Sequence, residues 1–261
     1  MFTEDKKTLK LYPVKTKLVE CGDDIVEVIL QSLNKENIEL DDNDVLAVAS
    51  KTLAYAQNRV INLKDVKPSQ KAMELAKQFS LQPEFAELIL READKIYGGV
   101  EKAVLTLKNE VLTANAGIDN KNAPSNHVVL WPSDTEKWAK NIREEIKKRT
   151  GKLVGVIIVD SGLMPLRIGT TGLALAVAGF KPIRDFRDKK DIYGRPIAIT
   201  RHAVADDLAS AAHLLMSETT EKTPIVIIRD APVDFDNGAY GSADMAMPSN
   251  ECIFMSSLGH S

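Results

Sequence analysis

The chain has 261 residues, of which 44% are hydrophobic and 27% are charged, and its formal net charge at pH 7 is -3. These proportions are typical of a globular protein, and the near balance of charge excludes the strongly basic surface of a nucleic-acid-binding protein. The sequence also lacks both an apolar run long enough to span a membrane and the start of a secretory signal, so we expect a cytoplasmic protein with no membrane partner.

The first half of the chain predicts a buried strand, a pair of helices and a hairpin. Residues 44–50 contain a continuous apolar run bounded by Asp44 and Ser50, which is typical of a strand covered on both faces. Residues 69–79 and 83–93 have helical periodicity and are separated by a short turn. A β-hairpin follows, with arms at 104–107 and 111–114 joined by the polar turn Lys-Asn-Glu.

The second half predicts two helices and two further strands. Ser133, with a glutamate three residues later, forms a capping box that predicts the start of a helix, and Gly151 predicts its end. Residues 153–160 are a strand of the same buried type. A helix begins near Asp206, and a last strand covers residues 224–229. Together these elements predict a mixed α/β fold with a mixed sheet.

A carboxylate follows the apolar run at 153–160. Asp160 and Ser161 end that run and precede a glycine-rich stretch that reaches Gly179. Because the carboxyl ends of strands in α/β proteins open onto the ligand crevice, an Asp with a neighbouring hydroxyl is suited to hold Mg²⁺ there. An Asp at a strand end is more often a helix cap or a turn former, so this simpler interpretation stays open.

A second polar segment, residues 115–119, follows the hairpin. Asn, Gly and Asp tolerate tight backbone geometry, which favours an Asx-rich turn. Alternatively, Asp119 is a second carboxylate for the same cation, because two carboxylates with phosphate oxygens are the usual environment of nucleotide-bound Mg²⁺. The choice depends on whether Asp119 and Asp160 meet in the fold.

Other motifs are excluded or leave alternatives open. A Walker-type GxxxxGK[ST] and a GxSxG elbow are both absent, which excludes the usual P-loop and argues against an ordinary α/β hydrolase. Cys21 and Cys252 form no CxxC pair, so a zinc site or disulfide scaffold is not expected. His213 falls opposite the apolar stripe of its helix, which favours a surface or interface position. Residues 188–195 are either a solvated loop or a segment that presents cations to an anionic substrate.

An ordered series of segments resembles the coenzyme F420-0:γ-glutamyl ligase family across nearly the whole chain. The strongest matches are NAGID at 115–119, VGVIIVDS at 154–161, KDIYGR at 190–195 and VADDLASAAHLLMSE at 204–218. The resemblance implies one domain over residues 1–261, built from two interlocked subdomains at approximately 1–150 and 151–261, and a homodimer.

The resemblance also implies a ligation that depends on GTP. The terminal carboxylate of F420-0 takes the γ-phosphate to become an acyl phosphate, and the amine of L-glutamate then displaces phosphate. Carboxylate is a poor electrophile, and phosphorylation supplies the leaving group that it lacks. The implied cofactors are GTP and Mg²⁺ or Mn²⁺, with K⁺ as a further candidate, and the implied partners are these small molecules rather than nucleic acid.

The family's site residues carry over position by position. Asp119 and Asp160 match the ligands of one cation, and Ser161 and Glu218 match those of a second. The positions that match the family's GTP contacts are Thr16, Lys17, Leu18, Val19, Ser50, Lys51, Tyr55, Asn122, Met216, Ser217 and Thr219. Asp160 and Arg167 are the candidate catalytic residues.

The chain departs from the family pattern at four of these and neighbouring positions. Tyr55 stands where a nucleotide-contacting lysine is expected, and Gln57 replaces a carboxylate. Met164 replaces an arginine, and Ser217 replaces a glycine. Two positive charges near the expected phosphates are therefore missing. The alternatives to the F420-0 ligase are an amide ligase with another carboxylate acceptor and a nucleotide- or cofactor-binding paralogue without ligase activity.

Overall fold

The computed structural model describes residues 8–217 and 221–258. Its strands are β1 (Lys10–Val14), β2 (Val45–Ala49), β3 (Val60–Asn62), β4 (Lys95–Val100), β5 (Ala103–Lys108), β6 (Val111–Ala114), β7 (His127–Val129), β8 (Gly155–Leu163), β9 (Thr170–Phe180), β10 (Arg184–Asp185), β11 (Arg201–His202), β12 (Ile225–Arg229) and β13 (Phe235–Gly241). Its α-helices are α1 (Ile25–Lys35), α2 (Ser50–Ala56), α3 (Gln70–Phe79), α4 (Pro83–Glu92), α5 (Thr135–Thr150), α6 (Val204–Met216), α7 (Ser242–Met245) and α8 (Ile253–Ser257). Short 3-10 helices cover Leu63–Asp65 and Asn115–Gly117.

The largest sheet has six strands in the order β1-β12-β2-β8-β9-β13. The pair β2 and β8 is parallel, whereas every other neighbouring pair in that order is antiparallel. The predicted mixed α/β fold with a mixed sheet is therefore confirmed. None of the helices within the described ranges is both long and apolar enough to cross a lipid bilayer.

Both faces of the central strands are buried, as their continuous apolar sequences predicted. On β2, Leu46 and Val48 belong to a core shared with α1 and α5. The alternate residues Val45 and Ala47 face the other way, into a core shared with α6. The helices thus cover the sheet on both sides, because a strand with no polar face needs a partner layer on each.

A smaller unit lies beside the large sheet. It contains α3, α4, the pair β3-β7 and the three-stranded sheet β4-β5-β6, and its separate core includes Phe79, Ile89 and Val104. The hairpin of β5 and β6 and the helix pair lie where the sequence predicted them. Strands from both halves of the chain enter the large sheet, and the division into subdomains at 1–150 and 151–261 stays a prediction.

Two predicted boundaries are wrong. The strand predicted to end at Asp160 continues to Leu163, because it forms a hairpin with β9 beyond the end of its parallel partner. The predicted capping box at Ser133 does not form, and α5 starts at Thr135 after Asp134. The cause is Gln57, whose side-chain amide binds both the backbone N–H and the backbone carbonyl of Ser133.

The strand β9 was not predicted, although it is central to the sheet. Its glycines are the reason, since glycine is unfavourable in a strand unless close packing requires it. A Cβ on Gly172 would lie 2.2 Å from the carbonyl oxygen of Ala209 in α6. The hydroxyl of Ser210 also donates to the Gly172 carbonyl at 3.0 Å. The glycine therefore allows α6 to lie directly on the strand.

Candidate active site

A cleft of about 980 Å³ opens at the carboxyl end of β2, where α2 begins. Its walls come from the large sheet and from the smaller unit, since Asp160 of β8 and Val129 of β7 both contribute. A volume of this order suits a ligand of nucleotide size. The predicted site residues that line the cleft are Thr16, Lys17, Leu18, Val19, Ser50, Lys51, Tyr55, Asp119, Asn122, Asp160, Ser161, Met216 and Ser217.

The parallel pairing of β2 with β8 brings Ser50 beside Asp160. Ala49 lies opposite Val159, so the residues that follow them stand at the same level. The Ser50 hydroxyl therefore lies beside the Asp160 carboxylate, where it helps to lower the pKa of that group. The site is thus built where β2 ends and β8 continues, and the crevice predicted at the carboxyl end of a strand is that of β2.

Asp160 has a perturbed pKa. Burial raises the pKa of its carboxyl from 3.8 to about 6. Hydrogen bonds oppose this rise, and their donors are the backbone N–H of Ser161, the hydroxyl of Ser50 and the indole of Trp131. The positive charge of Lys51 opposes it as well. A carboxyl with this pKa is mainly ionised at pH 7, as a cation ligand must be.

Asp119 is held at the cleft by the backbone of β7. Its N–H donates to the Val129 carbonyl at 3.0 Å, and the Val129 N–H donates back to its carbonyl at 2.8 Å. Its Oδ1 accepts the backbone N–H of Lys121 at 2.8 Å, which is an Asx turn. The Asx-turn interpretation is therefore confirmed. The turn also presents the carboxylate to the cleft, and its role as a cation ligand stays a prediction.

Lys51 binds Asp119, and its charge also acts on Asp160. Its Nζ lies 2.6 Å from Oδ2 of Asp119 and 3.0 Å from the carbonyl oxygen of Lys121. It follows Ser50, whose hydroxyl lies beside Asp160 and helps to lower its pKa. Consecutive side chains of α2 thus approach Asp119 from the smaller unit and Asp160 from the large sheet, and both aspartates line the one cleft.

Trp131 is a cleft residue that the sequence did not reveal. Its backbone carbonyl accepts Nε of Arg59 at 2.6 Å, and Nη2 of the same arginine lies 2.8 Å from Oε2 of Glu92. A Cβ on Gly117 would lie 2.3 Å from the indole, so glycine is needed where the NAGID segment passes the ring. No local pattern marks Trp131, since its role depends on contacts with residues far away in the chain.

The departures at Tyr55 and Gln57 have different structural contexts. The Tyr55 hydroxyl donates to the backbone carbonyl of Asn122 at 3.0 Å in the cleft, and burial raises its pKa. Gln57 instead pairs with the backbone of Ser133, donating at 2.9 Å and accepting at 2.8 Å. A carboxylate at position 57 could accept but not donate. Gln57 is therefore matched to the start of α5.

Two further segments complete the predicted nucleotide contacts. The N–H of Thr16 donates to the Lys222 carbonyl at 3.0 Å, which joins the loop at 16–19 to the segment after α6. Met216 is buried at the end of α6, and Ser217 has a φ of 58°, in the region that favours the family's glycine. The predicted residues Glu218 and Thr219 lie outside the described residues.

The donor set suits a hard divalent cation. Asp119, Asp160 and Ser161 present oxygen atoms to one cleft, and oxygen is the ligand type that Mg²⁺ and Mn²⁺ prefer. Among residues 8–217 and 221–258, no three acidic, histidine or cysteine side chains gather as a metal cluster. Mg²⁺ is commonly held by one or two carboxylates with phosphate and water, so the pair of aspartates fits that pattern.

Arg167 and Met164 do not line the cleft. Both are exposed in the turn between β8 and β9. The 188–195 segment is also exposed, and its Asp191 accepts hydrogen bonds from the backbone and the Nε of Arg195. Of the two interpretations of this segment, the structure shows the solvated loop in the single chain.

His213 lies at the cleft rather than on an open surface. It is half-buried on α6 and belongs to the cleft lining. The helical stripe could not reveal this, because the cleft begins at the edge of the helix that the stripe leaves exposed. Glu221 and Thr223, from the segment 216–223 that the resemblance assigns to nucleotide contacts, also line the cleft. Lining residues that the sequence did not predict for the site are Cys21, Thr113, Lys121, Leu163 and Thr170.

Comparisons with known proteins agree with the resemblance in the sequence. A family model described as F420-0:Gamma-glutamyl ligase matches residues 13–230. A coenzyme F420:L-glutamate ligase of Methanopyrus kandleri is 38% identical over 224 residues, which cover 85% of this chain and 87% of that protein. Proteins of the same name from Methanothermobacter thermautotrophicus and Archaeoglobus fulgidus are 37% identical over 216 residues and 33% identical over 222 residues. They cover 82% and 85% of this chain, and the matched parts are 86% and 87% of those proteins.

Proposed function

The chain belongs to the F420-0:γ-glutamyl ligase family, and on that basis we propose that it joins L-glutamate to F420-0 with GTP and a divalent cation. In the proposed reaction a carboxylate oxygen of F420-0 attacks the γ-phosphorus and GDP leaves. The glutamate amine then attacks the acyl carbon, phosphate leaves, and the amine loses a proton as the amide forms. Phosphoryl transfer of this kind depends on positioning and charge stabilisation.

The observation that carries the proposal is the Ser50-Lys51 pair. Ser50 lies beside Asp160 and Lys51 binds Asp119, and all four residues line one nucleotide-sized cleft. An oxygen-rich wall next to a flexible cation is what a nucleotide with its metal requires. A carboxyl with a shifted pKa and a large pocket commonly occur together at functional sites. Their coincidence at Asp160 therefore supports a functional site here.

The cleft contains lysines that can contact the phosphates of a nucleotide, and the acidic residues Glu20, Asp119, Asp160 and Glu221 line it as well. Lys17, Lys51, Lys121 and Lys222 all line it. Lys17 is paired with Asp23 at 2.8 Å, and its side chain is 52% exposed, so it can turn toward an anion. Lysine is a common phosphate ligand because its ammonium is a compact, mobile charge.

Asp119 and Asp160 would hold one cation, and Ser161 with Glu218 a second; K⁺ stays an additional candidate. Such cations neutralise the triphosphate and the charge that develops on the transferred phosphoryl group. Asp160 is the candidate catalytic residue at this wall. Arg167 is proposed to act only if a second chain or a movement of its turn brings it to the substrate.

We also propose that the protein is a homodimer, because the β8–β9 turn is strongly apolar. Leu166 and Ile168 are fully exposed, and Leu163 and Met164 are 58% and 52% exposed. Several large apolar side chains on one projecting turn mark an interaction site. A second copy of the chain is the proposed cover. The cytoplasmic location stays a prediction.

The proposed activity is tested by mass spectrometry of a reaction with F420-0, L-glutamate, GTP and Mn²⁺. We expect a mass gain of one or more glutamyl units that disappears when GTP is omitted. Asp160→Asn should abolish the gain and sharply weaken metal-dependent GTP binding in calorimetry while the protein stays folded. Unchanged binding in this variant would remove Asp160 from the site.

Two alternatives predict other results of the same assay. An amide ligase for a different carboxylate, suggested by Met164, would give no product with F420-0 but a product in a panel of carboxylates and amines. A paralogue that only binds its ligand, suggested by Tyr55, would bind GTP with metal and give no product with any substrate. GTP hydrolysis coupled to a ligation would exclude that second alternative.

A further inference from the structure

The contacts of Lys51 imply a role beyond that of a phosphate ligand. The carboxylate of Asp119 already has both oxygens engaged within the protein, Oδ1 by the backbone N–H of Lys121 and Oδ2 by Nζ of Lys51. The same Nζ also donates to the carbonyl oxygen of Lys121 at 3.0 Å. The ammonium of Lys51 therefore contacts two oxygen atoms, one from the proposed metal ligand Asp119 and one from the backbone of Lys121.

A divalent cation and this ammonium compete for the same oxygen. Oδ2 lies 2.6 Å from Nζ, so a cation at normal bonding distance from Oδ2 would be within a few ångströms of a second positive charge. The charge of Lys51 also reaches Asp160, since it lowers the pKa of that carboxyl. Lys51 thus neutralises part of the negative charge on which cation binding depends.

Lys51 can leave this position at small cost. Its side chain is 32% exposed and that of Asp119 is 37% exposed, and ion pairs with this exposure contribute little stability. The lysine has a long flexible stem and lines the cleft, so it can reach a phosphate there. A phosphate would then offer the ammonium a partner and leave Oδ2 of Asp119 to the metal.

We propose that Lys51 is an internal counter-cation that blocks the metal site until a nucleotide phosphate draws it away. The inference rests on the proposed function, because it concerns the same metal and nucleotide. Its consequence is that metal and nucleotide bind cooperatively, and that the free protein holds divalent cations weakly. Binding of one ligand favours the other by the same factor, as thermodynamic linkage requires.

The test is a titration of the nucleotide-free protein with MnCl₂. Binding is measured by calorimetry and by the electron paramagnetic resonance signal of free Mn²⁺. Lys51→Met removes the ammonium and keeps most of the stem, and it should bind Mn²⁺ about 10-fold more tightly than the unaltered protein. Lys51→Arg keeps the charge and should not show this gain. Lys17→Met removes a lysine that pairs with Asp23 in the same cleft, and its Mn²⁺ affinity should stay within about 2-fold.

A second titration uses GTP in the presence of EDTA. Lys51→Met should bind GTP more weakly than the unaltered protein, because the proposed phosphate partner is gone. Tighter Mn²⁺ binding together with weaker GTP binding supports the proposal. Equal Mn²⁺ affinity in Lys51→Met and the unaltered protein overturns the proposal, and so does a failure of both to bind Mn²⁺. A gain in Mn²⁺ affinity that also appears in Lys17→Met overturns it as well.

The ligation assay separates this result from the proposed function. If Lys51→Met leaves Mn²⁺ affinity unchanged while the unaltered protein ligates glutamate, only the role of Lys51 is wrong. If no ligation occurs but Lys51→Met still binds Mn²⁺ more tightly, Lys51 does block the metal site, and the proposal that F420-0 is the acceptor is wrong. Circular dichroism and the melting temperature identify a variant that fails to fold, and Lys51→Gln is then the substitute.

Discussion

The indole of Trp131 lies beside the carboxylate of Asp160 in the cleft, where it helps to lower the pKa of that carboxyl. Trp131 follows β7 of the smaller unit, whereas Asp160 belongs to β8 of the large sheet, so this contact joins the two parts of the protein at the cleft. The Nε of Arg59 donates a hydrogen bond to the backbone carbonyl of Trp131 and so helps to fix the position of the tryptophan. The orientation of the proposed metal ligand therefore depends on a residue outside its own sheet.

Trp131→Phe removes the indole donor and keeps an aromatic ring. We expect Mn²⁺ affinity in the presence of GTP to fall about 5- to 10-fold, because ligands whose outer partners are lost typically bind metal more weakly. Trp138→Phe is the matched control, since Trp138 lies on α5 beside a separate groove. Equal affinities for the two variants would show that the indole does not orient Asp160.

Asp160→Asn should change how stability depends on pH. Since the folded-state pKa of Asp160 is raised from 3.8 to about 6, the folded protein binds its proton more tightly than the unfolded chain. The stabilising contribution of that proton is complete below about pH 4 and is lost as the pH rises to about 6, with a total of about 1–3 kcal/mol. Asparagine does not titrate in this range.

The measurement is urea unfolding at several pH values between 4 and 7, with EDTA present. Relative to the unaltered protein, Asp160→Asn should gain stability as the pH rises through this window. Two stability curves that stay parallel from pH 4 to pH 7 would contradict the raised pKa.

Tyr55→Lys introduces the positive charge that the family resemblance leads us to expect at this position. Tyr55 lines the cleft beside Asn122, so we expect GTP affinity to rise about 3- to 10-fold through attraction to phosphate. Tyr55→Phe loses only the hydrogen bond to the Asn122 carbonyl, and its affinity should change by less than about 2-fold. Isothermal calorimetry at low and high salt checks both, since an electrostatic gain should shrink as salt rises.

Gly172→Ala should destabilise the fold by about 2 kcal/mol or more, because the new Cβ would lie 2.2 Å from the carbonyl oxygen of Ala209. Backbone of α6 would have to move away from β9. Gly162→Ala is a suitable control on the paired strand, where the nearest atoms belong to the Leu173 side chain at 3.2 Å or more. In thermal unfolding, Gly172→Ala should have the lower melting temperature of the two variants. Similar melting temperatures would mean that α6 can move away from β9 at little cost in stability.

Leu166→Asp and Ile168→Asp test the proposed dimer. Both side chains are fully exposed in the single chain, so a charge there should leave the folded monomer intact. If a second copy covers the turn, each change should convert a dimer to a monomer in light scattering, because burying an unpaired charge is costly. Met73→Asp on α3, also exposed, serves as the control and should not alter the mass. A dimer that survives both substitutions would place the interface elsewhere.

Elements with a strong one-dimensional pattern could be predicted. The apolar runs that became β2, β8 and β12 are buried on both faces, and the periodic segments that became α3 and α4 are helices. Elements whose conformation depends on contacts with residues far away in the chain could not be predicted. The glycine-rich β9 is a strand because α6 packs on it, and Ser133 does not cap α5 because Gln57 occupies its backbone groups.

The candidate site divides in the same way. Asp119, Asp160 and the Ser50-Lys51 pair were chosen from their positions at the ends of predicted elements and from the family resemblance, and all line one cleft. Trp131 and His213 also line it, although neither has a local pattern that marks it. Arg167 was chosen by the resemblance alone, and it lies in the exposed turn between β8 and β9.

The amino-acid sequence by itself determined the family, the buried strands and the presence of the two aspartates, because hydrophobic period and residue chemistry are local properties. Only the tertiary structure decided that Ser50 meets Asp160, that Lys51 engages Asp119, and that Trp131 reaches across from the smaller unit. These contacts follow from the register of β2 with β8 and from the packing of the smaller unit on the large sheet. Register and packing are set by the burial of all the elements at once, so no single segment of the sequence contains them.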